Sequence, residues 1–192
     1  MRKRLVAIVS VVALLIALAA VALVAGGNDV RAGDRVEQAV ARVQGGPLAP
    51  SLSGTVVFRQ TPDGVIVSVE VTGLPTYQAG TPPIGPHGFH VHAVGNCTVG
   101  DPTDAVYPFG AASGHYKVGT QVHGDHAGDL PVLFSNGGRA KMTVLTDAFD
   151  VSDVNGRAVI LHKNPDDYRT DPTGAAGLRL ACGVIESKRA ND

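Results

Sequence analysis

Several features are scarce or absent in this chain of 192 residues, and each of them excludes a class of protein or limits the possible cross-links. The formal net charge is only −1, so the chain lacks the basic excess that a large nucleic-acid-binding surface needs. Internal repeats are absent, which excludes a repeat protein. Cysteine occurs twice, at Cys97 and Cys182, which allows one disulfide bond within the chain.

Tryptophan is also absent, whereas glycine (24 residues) and proline (12 residues) are frequent and valine is common. This composition suits many short strands that are joined by turns and loops. We therefore expect a β-rich folded domain.

Only one long hydrophobic run occurs, at residues 5–25, and it follows the basic residues Arg2-Lys3-Arg4. This arrangement is typical of a signal peptide or of a single membrane anchor, and the run is long enough to span a bilayer. Ala20-Val21-Ala22 offers a small-residue cleavage site, and no cysteine follows for lipid modification. The sequence leaves cleavage and retention open. In both cases we expect export to a compartment where a disulfide can persist.

The remaining chain divides into a polar tether (residues 26–35), a folded domain (36–187) and a short tail (188–192). Alternating apolar residues predict strands at 53–60 and 65–72, around the turn signal Thr61-Pro62-Asp63-Gly64. Residues 36–43 fit both helical and strand spacing. No segment is a convincing soluble helix. Six to eight strands favour an antiparallel sandwich or barrel, and the further predicted strands are 88–93, 139–146, 158–162 and 178–186.

Seven histidines are present, and six of them lie between positions 87 and 126. In Gly88-Phe89-His90-Val91-His92, strand geometry places His90 and His92 on one face and directs Phe89 and Val91 into a core. Two imidazoles on one rigid face are suitable ligands for copper or zinc. The alternative is a pair of ordinary strand histidines.

A stretch without periodicity, residues 95–130, contains His115, His123 and His126 and then Asp129. Three imidazoles and one carboxylate are a tetrahedral zinc set. His162, at a predicted strand end, could join His90 and His92 in an adjacent all-imidazole site, which suits copper. Taken singly, His162 could be a strand-end residue and Asp129 could cap a turn.

Irregular stretches of this length are usually functional and need a metal or a disulfide to fix them. A bond between Cys97 and Cys182 would attach the stretch to the last strand and close a loop of about 85 residues, worth roughly 4 kcal/mol on the entropic model. The alternative is two unpaired buried thiols.

Together these motifs resemble the copper–zinc superoxide dismutase family, and its bacterial exported branch in particular. The resemblance extends from residue 36 to residue 186. The matching segments are Gly88-Phe89-His90-Val91-His92, Gly95-Asn96-Cys97, Gly114-His115, His126-Ala127-Gly128-Asp129-Leu130-Pro131 and Arg179-Leu180-Ala181-Cys182-Gly183-Val184-Ile185.

The resemblance implies an eight-stranded antiparallel Greek-key β-barrel with two long functional loops, in which residues 36–43 form the first strand. It implies dismutation of superoxide to oxygen and hydrogen peroxide outside the cytoplasm, with copper and zinc as cofactors. By the same resemblance, the copper ligands are His90, His92, His115 and His162, and the zinc ligands are His115, His123, His126 and Asp129.

Further roles follow from the resemblance alone. Arg179 would lie above the copper and attract superoxide, and His115 would bridge the two metals. Asp166 would link a copper histidine to a zinc histidine, whereas His87 would be structural. Cys97 and Cys182 would form the disulfide.

Two alternatives stay open at this point. One is a non-enzymatic copper-binding or copper-handling domain of the same fold. The other is a copper-only dismutase, because only three positions separate His123 from His126. The expected partner is superoxide as substrate, with no nucleic acid and with membrane contact only through an uncleaved N-terminal segment. Whether the chain forms a homodimer is left open.

Overall fold

The structure, a computed structural model, describes residues 38–104 and 106–188. Helix in these ranges is limited to one turn, α1 (Val151–Val154), and a 3-10 turn at Gly110–Ala112. Eight strands make up the remainder of the regular structure: β1 (Gln38–Gly45), β2 (Ser53–Thr61), β3 (Gly64–Thr72), β4 (His87–His92), β5 (Asp129–Leu133), β6 (Arg139–Thr146), β7 (Ala158–His162) and β8 (Arg179–Lys188).

The strands form one antiparallel sheet in the order β5-β4-β7-β8-β1-β2-β3-β6. Hairpins join β1 to β2 and β2 to β3, whereas longer connections bring β6 beside β3 and β7 beside β4. The sheet curls until its two edge strands, β5 and β6, meet. The result is a nearly closed Greek-key β-barrel, which confirms the predicted fold class.

Alternating valines build the barrel interior. In β3, Val65, Val67, Val69 and Val71 are buried, while the residues between them are at least partly exposed. This period of two is what a sheet with one buried face requires. The largest side chains in the core are Phe58, Phe89, Leu52, Leu133, Leu161 and Ile185.

Three elements differ from the sequence-based prediction or resolve it. Residues 36–43 fit both helix and strand spacing in the sequence, and β1 shows that the described part of this segment, residues 38–43, is a strand. The prediction missed β5, which is short and contains Pro131. Proline has no N–H to donate and is tolerated in β5 because this strand lies at the sheet edge. The prediction also missed α1, a single turn that begins with a capping box between Asp150 and Asp153.

The neighbouring strands β4 and β7 are buried on both faces. Phe89 and Val91 pack into the barrel core, so His90 and His92 leave β4 on the outer face, as their spacing predicts. Two irregular segments lie at this face: the long loop (residues 93–128) and the second loop (residues 163–178).

The predicted disulfide between Cys97 and Cys182 is present and joins the long loop to β8. A small apolar cluster surrounds it, formed by Phe109 and Ala112 of the long loop and Ile160 of β7. This attachment fixes the long loop over the outer face of β7 and β8.

No helix of the described residues has both the length and the hydrophobicity needed to cross a membrane. The predicted signal peptide or anchor, the tether and residues 189–192 lie outside the described residues.

Candidate metal centre

Four histidines from separate parts of the chain converge on the outer face of the barrel. His90 and His92 lie on β4, His162 ends the neighbouring β7, and His115 of the long loop forms an isolated β-bridge with His92. One ring nitrogen from each residue lies within 4.8 Å of the others. We refer to this group as the four-histidine cluster.

Backbone carbonyls determine which nitrogen of His92 and His162 faces this cluster. Nδ1 of His92 donates a hydrogen bond to the carbonyl of Ser113 (2.9 Å), and Nδ1 of His162 donates to the carbonyl of Gly177 (3.0 Å). A neutral imidazole carries one proton, so both bonds leave Nε2 unprotonated. These two Nε2 atoms lie only 3.3 Å apart, where a metal ion or a shared proton would relieve the repulsion between their lone pairs.

A second group, which we call the aspartate cluster, contains His115, His123, His126 and Asp129, with ligand atoms again within 4.8 Å of one another. Oδ1 of Asp129 lies 2.8 Å from Nδ1 of His115 and 3.5 Å from Nδ1 of His126, while Oδ2 lies 3.3 Å from Nδ1 of His123. The short spacing between His123 and His126 therefore does not keep either ring from the cluster.

Asp129 is oriented by the backbone around it. Its Oδ2 accepts hydrogen bonds from the N–H groups of Gly124 (2.8 Å) and His126 (3.2 Å). Burial raises the pKa of Asp129, but the hydrogen bonds from His115 and Gly124 lower it more, so the net pKa lies below its ordinary value. The carboxylate is therefore ionised at neutral pH, as a metal ligand must be.

His115 belongs to both clusters. Its Nδ1 faces Asp129, while its Nε2 is buried and has no hydrogen-bond partner among the described residues. Its ring stacks on that of His90 with centroids 3.9 Å apart. The two clusters are thus adjacent and share one imidazole.

Asp166 of the second loop links the clusters from the other side. Its Oδ2 lies 2.6 Å from Nε2 of His90, and its Oδ1 lies 2.7 Å from Nε2 of His123. Gly174 has a positive φ of 63°, and a Cβ at this position would overlap both Asp166 Oδ1 and His123 Nε2. Glycine is required here so that the second loop can approach this pair of rings.

Several buried ring nitrogens have no hydrogen-bond partner among the described residues, which shows whether the clusters suit metal ions. A buried polar atom without a partner costs about 1–3 kcal/mol. Imidazole and carboxylate donors are the ligands that zinc takes in tetrahedral sites, and all-imidazole sets suit copper. The donors therefore fit both metals, and the unpaired buried nitrogens are His90 Nδ1, His115 Nε2, His123 Nδ1, His126 Nδ1 and His126 Nε2.

Burial also keeps the rings neutral. It is the largest cause that lowers the pKa of His162, to about 3, and of His90, His92 and His115 below the ordinary histidine value. Neutral imidazole is the form that binds a metal.

Arg179 lies beside the four-histidine cluster, at the start of β8. Its two terminal nitrogens donate to the carbonyls of Phe109 and Ser113, each at 2.6 Å. Arg179 and His162 line one pocket of about 520 Å³. The charged side chains in its wall, among the described residues, are Arg179 and Lys163.

His87 is buried but belongs to neither cluster. Its Nδ1 lies 2.9 Å from the carbonyl of His162, and its Nε2 lies 3.0 Å from the carbonyl of Pro75. Both nitrogens therefore face backbone carbonyls and neither faces a cluster.

Sequence reasoning missed the residues that act through their backbone. The carbonyls of Phe109, Ser113 and Gly177 orient Arg179, His92 and His162, but no side-chain type identifies a carbonyl partner. The approach of the second loop at Gly174 had one weak signal in the sequence, namely that a glycine follows Asp166 by eight positions in an irregular stretch.

Comparison with known proteins agrees with this geometry. A family model described as copper/zinc superoxide dismutase (SODC) matches residues 52–185. A superoxide dismutase [Cu-Zn] of Deinococcus radiodurans is 35% identical over 150 residues, which cover 71% of this chain and 78% of that protein. One of Legionella pneumophila is 37% identical over 145 residues, covering 71% and 80%.

Among solved structures, a Cu/Zn superoxide dismutase from Brucella abortus superposes with a TM-score of 0.64 at 33% sequence identity, covering 78% of this chain and 100% of that one. The barrel, the two clusters that share His115 and the matched motifs thus agree with sequence similarity over most of the chain. On these grounds the chain belongs to the copper/zinc superoxide dismutase family.

Proposed function

We propose that the domain at residues 36–187 catalyses 2 O2⁻ + 2 H⁺ → O2 + H2O2. The observation that carries the proposal is the pair of adjacent clusters that share His115 beside a pocket with a buried arginine. Family membership supports the same reaction and the same two metals.

In this proposal the four-histidine cluster binds copper and the aspartate cluster binds zinc. Copper supplies a one-electron couple, whereas zinc is redox-inert and contributes structure and positive charge. Asp166 supports this assignment because it contacts the nitrogen of His90 and of His123 that faces away from each cluster, which fixes ring orientation.

His115 is the proposed proton carrier. Its Nδ1 is engaged with Asp129, while its Nε2 is unpaired and belongs to the four-histidine cluster. This nitrogen would hold copper in the loaded protein, and when it is not a ligand it can carry one proton to the reduced substrate. Hydrogen peroxide needs two protons, and the second would come from water in the pocket.

Arg179 is the proposed binding group for superoxide. Two backbone carbonyls fix its guanidinium, so the guanidinium does not have to reorient when an anion arrives. Burial lowers the pKa of Arg179 below its ordinary value, and the group remains charged at working pH.

We also place this domain outside the cytoplasm. A disulfide between Cys97 and Cys182 persists in oxidising compartments, and the curated relatives of this kind are bacterial proteins. Cleavage of residues 5–25 and formation of a homodimer remain predictions from the sequence.

Replacing Arg179 with alanine tests the assignment against a copper-handling role. We expect R179A to lose about tenfold in kcat/KM, because a fixed cation in a cleft raises the arrival rate of an anion by about that factor or more. Copper content, measured on the same sample, should equal that of the unaltered protein.

R169A is the matched control, since Arg169 is an exposed cation of the second loop that does not line the pocket. It should keep full activity. If the unaltered protein binds copper without turnover, or if R179A is fully active, the catalytic role proposed here is wrong.

A further inference from the structure

Tyr168 lies in the second loop, outside both clusters, yet it touches three parts that surround the aspartate cluster. Its N–H donates to Oδ1 of Asp166 (2.7 Å), and its Oη accepts a hydrogen bond from the N–H of Val132 (2.8 Å). Its carbonyl lies so close to Gly124 that a Cβ at Gly124 would overlap it. One residue thus joins the second loop, β5 and the long loop.

The contact with Val132 is informative because β5 is an edge strand. β5 pairs only with β4, so N–H groups on its other side need a partner from outside the sheet. Tyr168 supplies that partner for Val132, three positions after Asp129. The hydroxyl therefore fixes the start of β5, where Asp129 stands.

The backbone of Tyr168 shows that this contact is imposed by its surroundings. Its φ is 55°, in the left-handed region that residues other than glycine rarely adopt. Such residues persist where neighbouring groups over-determine the conformation, and they concentrate at functional sites. Here the neighbours are Asp166, which links His90 to His123, and Gly124, whose N–H donates to Asp129.

We propose that Tyr168 is a positioning residue for the zinc half of the centre. It fixes Asp129 from β5 and Asp166 from the second loop, and so sets the distance between these carboxylates and His123. The inference rests on the proposed assignment of zinc to the aspartate cluster. It predicts that the hydroxyl of Tyr168 affects zinc far more than copper, because the hydroxyl contacts β5 at Val132, close to Asp129. Asp166, which also contacts the copper-side His90, is bonded by the backbone N–H of Tyr168, and Y168F keeps that bond.

The test is Y168F, which removes only the hydroxyl, with Y77F as the matched control because Tyr77 is 62% exposed and lies outside the second loop. Zinc affinity is measured by competition with a chromogenic chelator. In a second experiment cobalt(II) replaces zinc, and the four-histidine cluster is loaded with copper(I), which is colourless. The visible absorption of cobalt(II) then reports the geometry of the aspartate cluster. Copper affinity and the melting temperature of the metal-free protein are measured alongside.

For Y168F we expect about tenfold weaker zinc binding and a shifted cobalt band, with copper affinity unchanged, as for other partners that orient metal ligands. Y77F should match the unaltered protein in every readout. Unchanged zinc affinity and an unchanged cobalt band in Y168F would overturn the inference. If the melting temperature is lower at the same time, Tyr168 only stabilises the edge strand β5. Equal weakening of zinc and copper would overturn the inference too. If the unaltered protein gives no tetrahedral cobalt band, the zinc assignment fails first.

Discussion

At the scale of single residues, the charges of the second loop divide into those that face the pocket and those that do not. In the sequence of this loop, two cations, Lys163 and Arg169, are accompanied by three aspartates. In the structure Asp166 is buried against two histidine rings. Asp167 bonds instead to Thr170, which lowers the pKa of Asp167 to about 2.

Lys163 and Arg179 both line the pocket, whereas Asp166, Asp167 and Asp171 do not, although the chain as a whole is nearly neutral. We expect K163Q to lower kcat/KM for superoxide about threefold at low ionic strength and to lose this effect when salt screens the pocket. R169Q should differ little from the unaltered protein. Superoxide decay followed by pulse radiolysis over a range of ionic strength checks both. A K163Q rate equal to that of R169Q at low salt would show that Lys163 does not attract the substrate.

The residues of the two clusters could be predicted because their side chains carry the chemistry. Imidazoles two apart on a strand predicted His90 and His92, and the resemblance supplied His162, Arg179 and Asp166. The residues that orient them could not be predicted, because a carbonyl such as that of Ser113 belongs to any residue type. Tyr168 was missed for a related reason: its partner is a backbone N–H on a strand that was itself missed.

At the scale of elements, the strands with alternating residues were predicted closely, and β6 and β7 have the predicted bounds. β5 was missed because Pro131 and its position at the sheet edge weaken the signal. The paths of the two loops could not be predicted, since contacts far apart in sequence determine them. Examples are the hydrogen bond that the N–H of His123 donates to Oδ1 of Asp171, and the disulfide.

The disulfide leads to a prediction about the long loop. The double variant C97S/C182S should lower the free energy of unfolding of the metal-free protein by about 4 kcal/mol, because the cross-link closes a loop of 85 residues in the unfolded chain. Urea unfolding measures this loss. The reduced unaltered protein is the control and should lose a similar amount. A loss below about 1 kcal/mol in both would mean that the apolar contacts of Phe109 and Ala112 fix the loop without the bond.

At the scale of the whole molecule, the stability of the metal-free protein depends on pH because burial lowers the pKa of four histidines, His90, His92, His115 and His162. An unfolded histidine titrates near pH 6.5. In the folded chain burial lowers the pKa of His162 to about 3 and also lowers the pKa of His90 and His92. Below pH 6.5 the unfolded state therefore binds more protons than the folded state, so stability falls as pH falls.

Each histidine that stays neutral contributes about 1.4 kcal/mol per pH unit in this window. We expect the melting temperature of the metal-free protein to change little between pH 7.5 and pH 6.5 and to fall steeply from pH 6.5 to pH 5. The metal-loaded protein should change less, since occupied ligands do not take up protons until the metal leaves. Parallel calorimetric scans at several pH values measure both. Equal pH dependence in the two forms would mean that these histidines are not the metal ligands.

We propose that two metals bind at clusters that share His115 and that the chain then dismutates superoxide. The most direct test measures superoxide decay and metal content on one oxidised, copper- and zinc-loaded sample. We expect fast turnover with one copper and one zinc per chain. Copper without zinc at full activity would contradict the assignment of the aspartate cluster, and copper without turnover would contradict the enzymatic function itself.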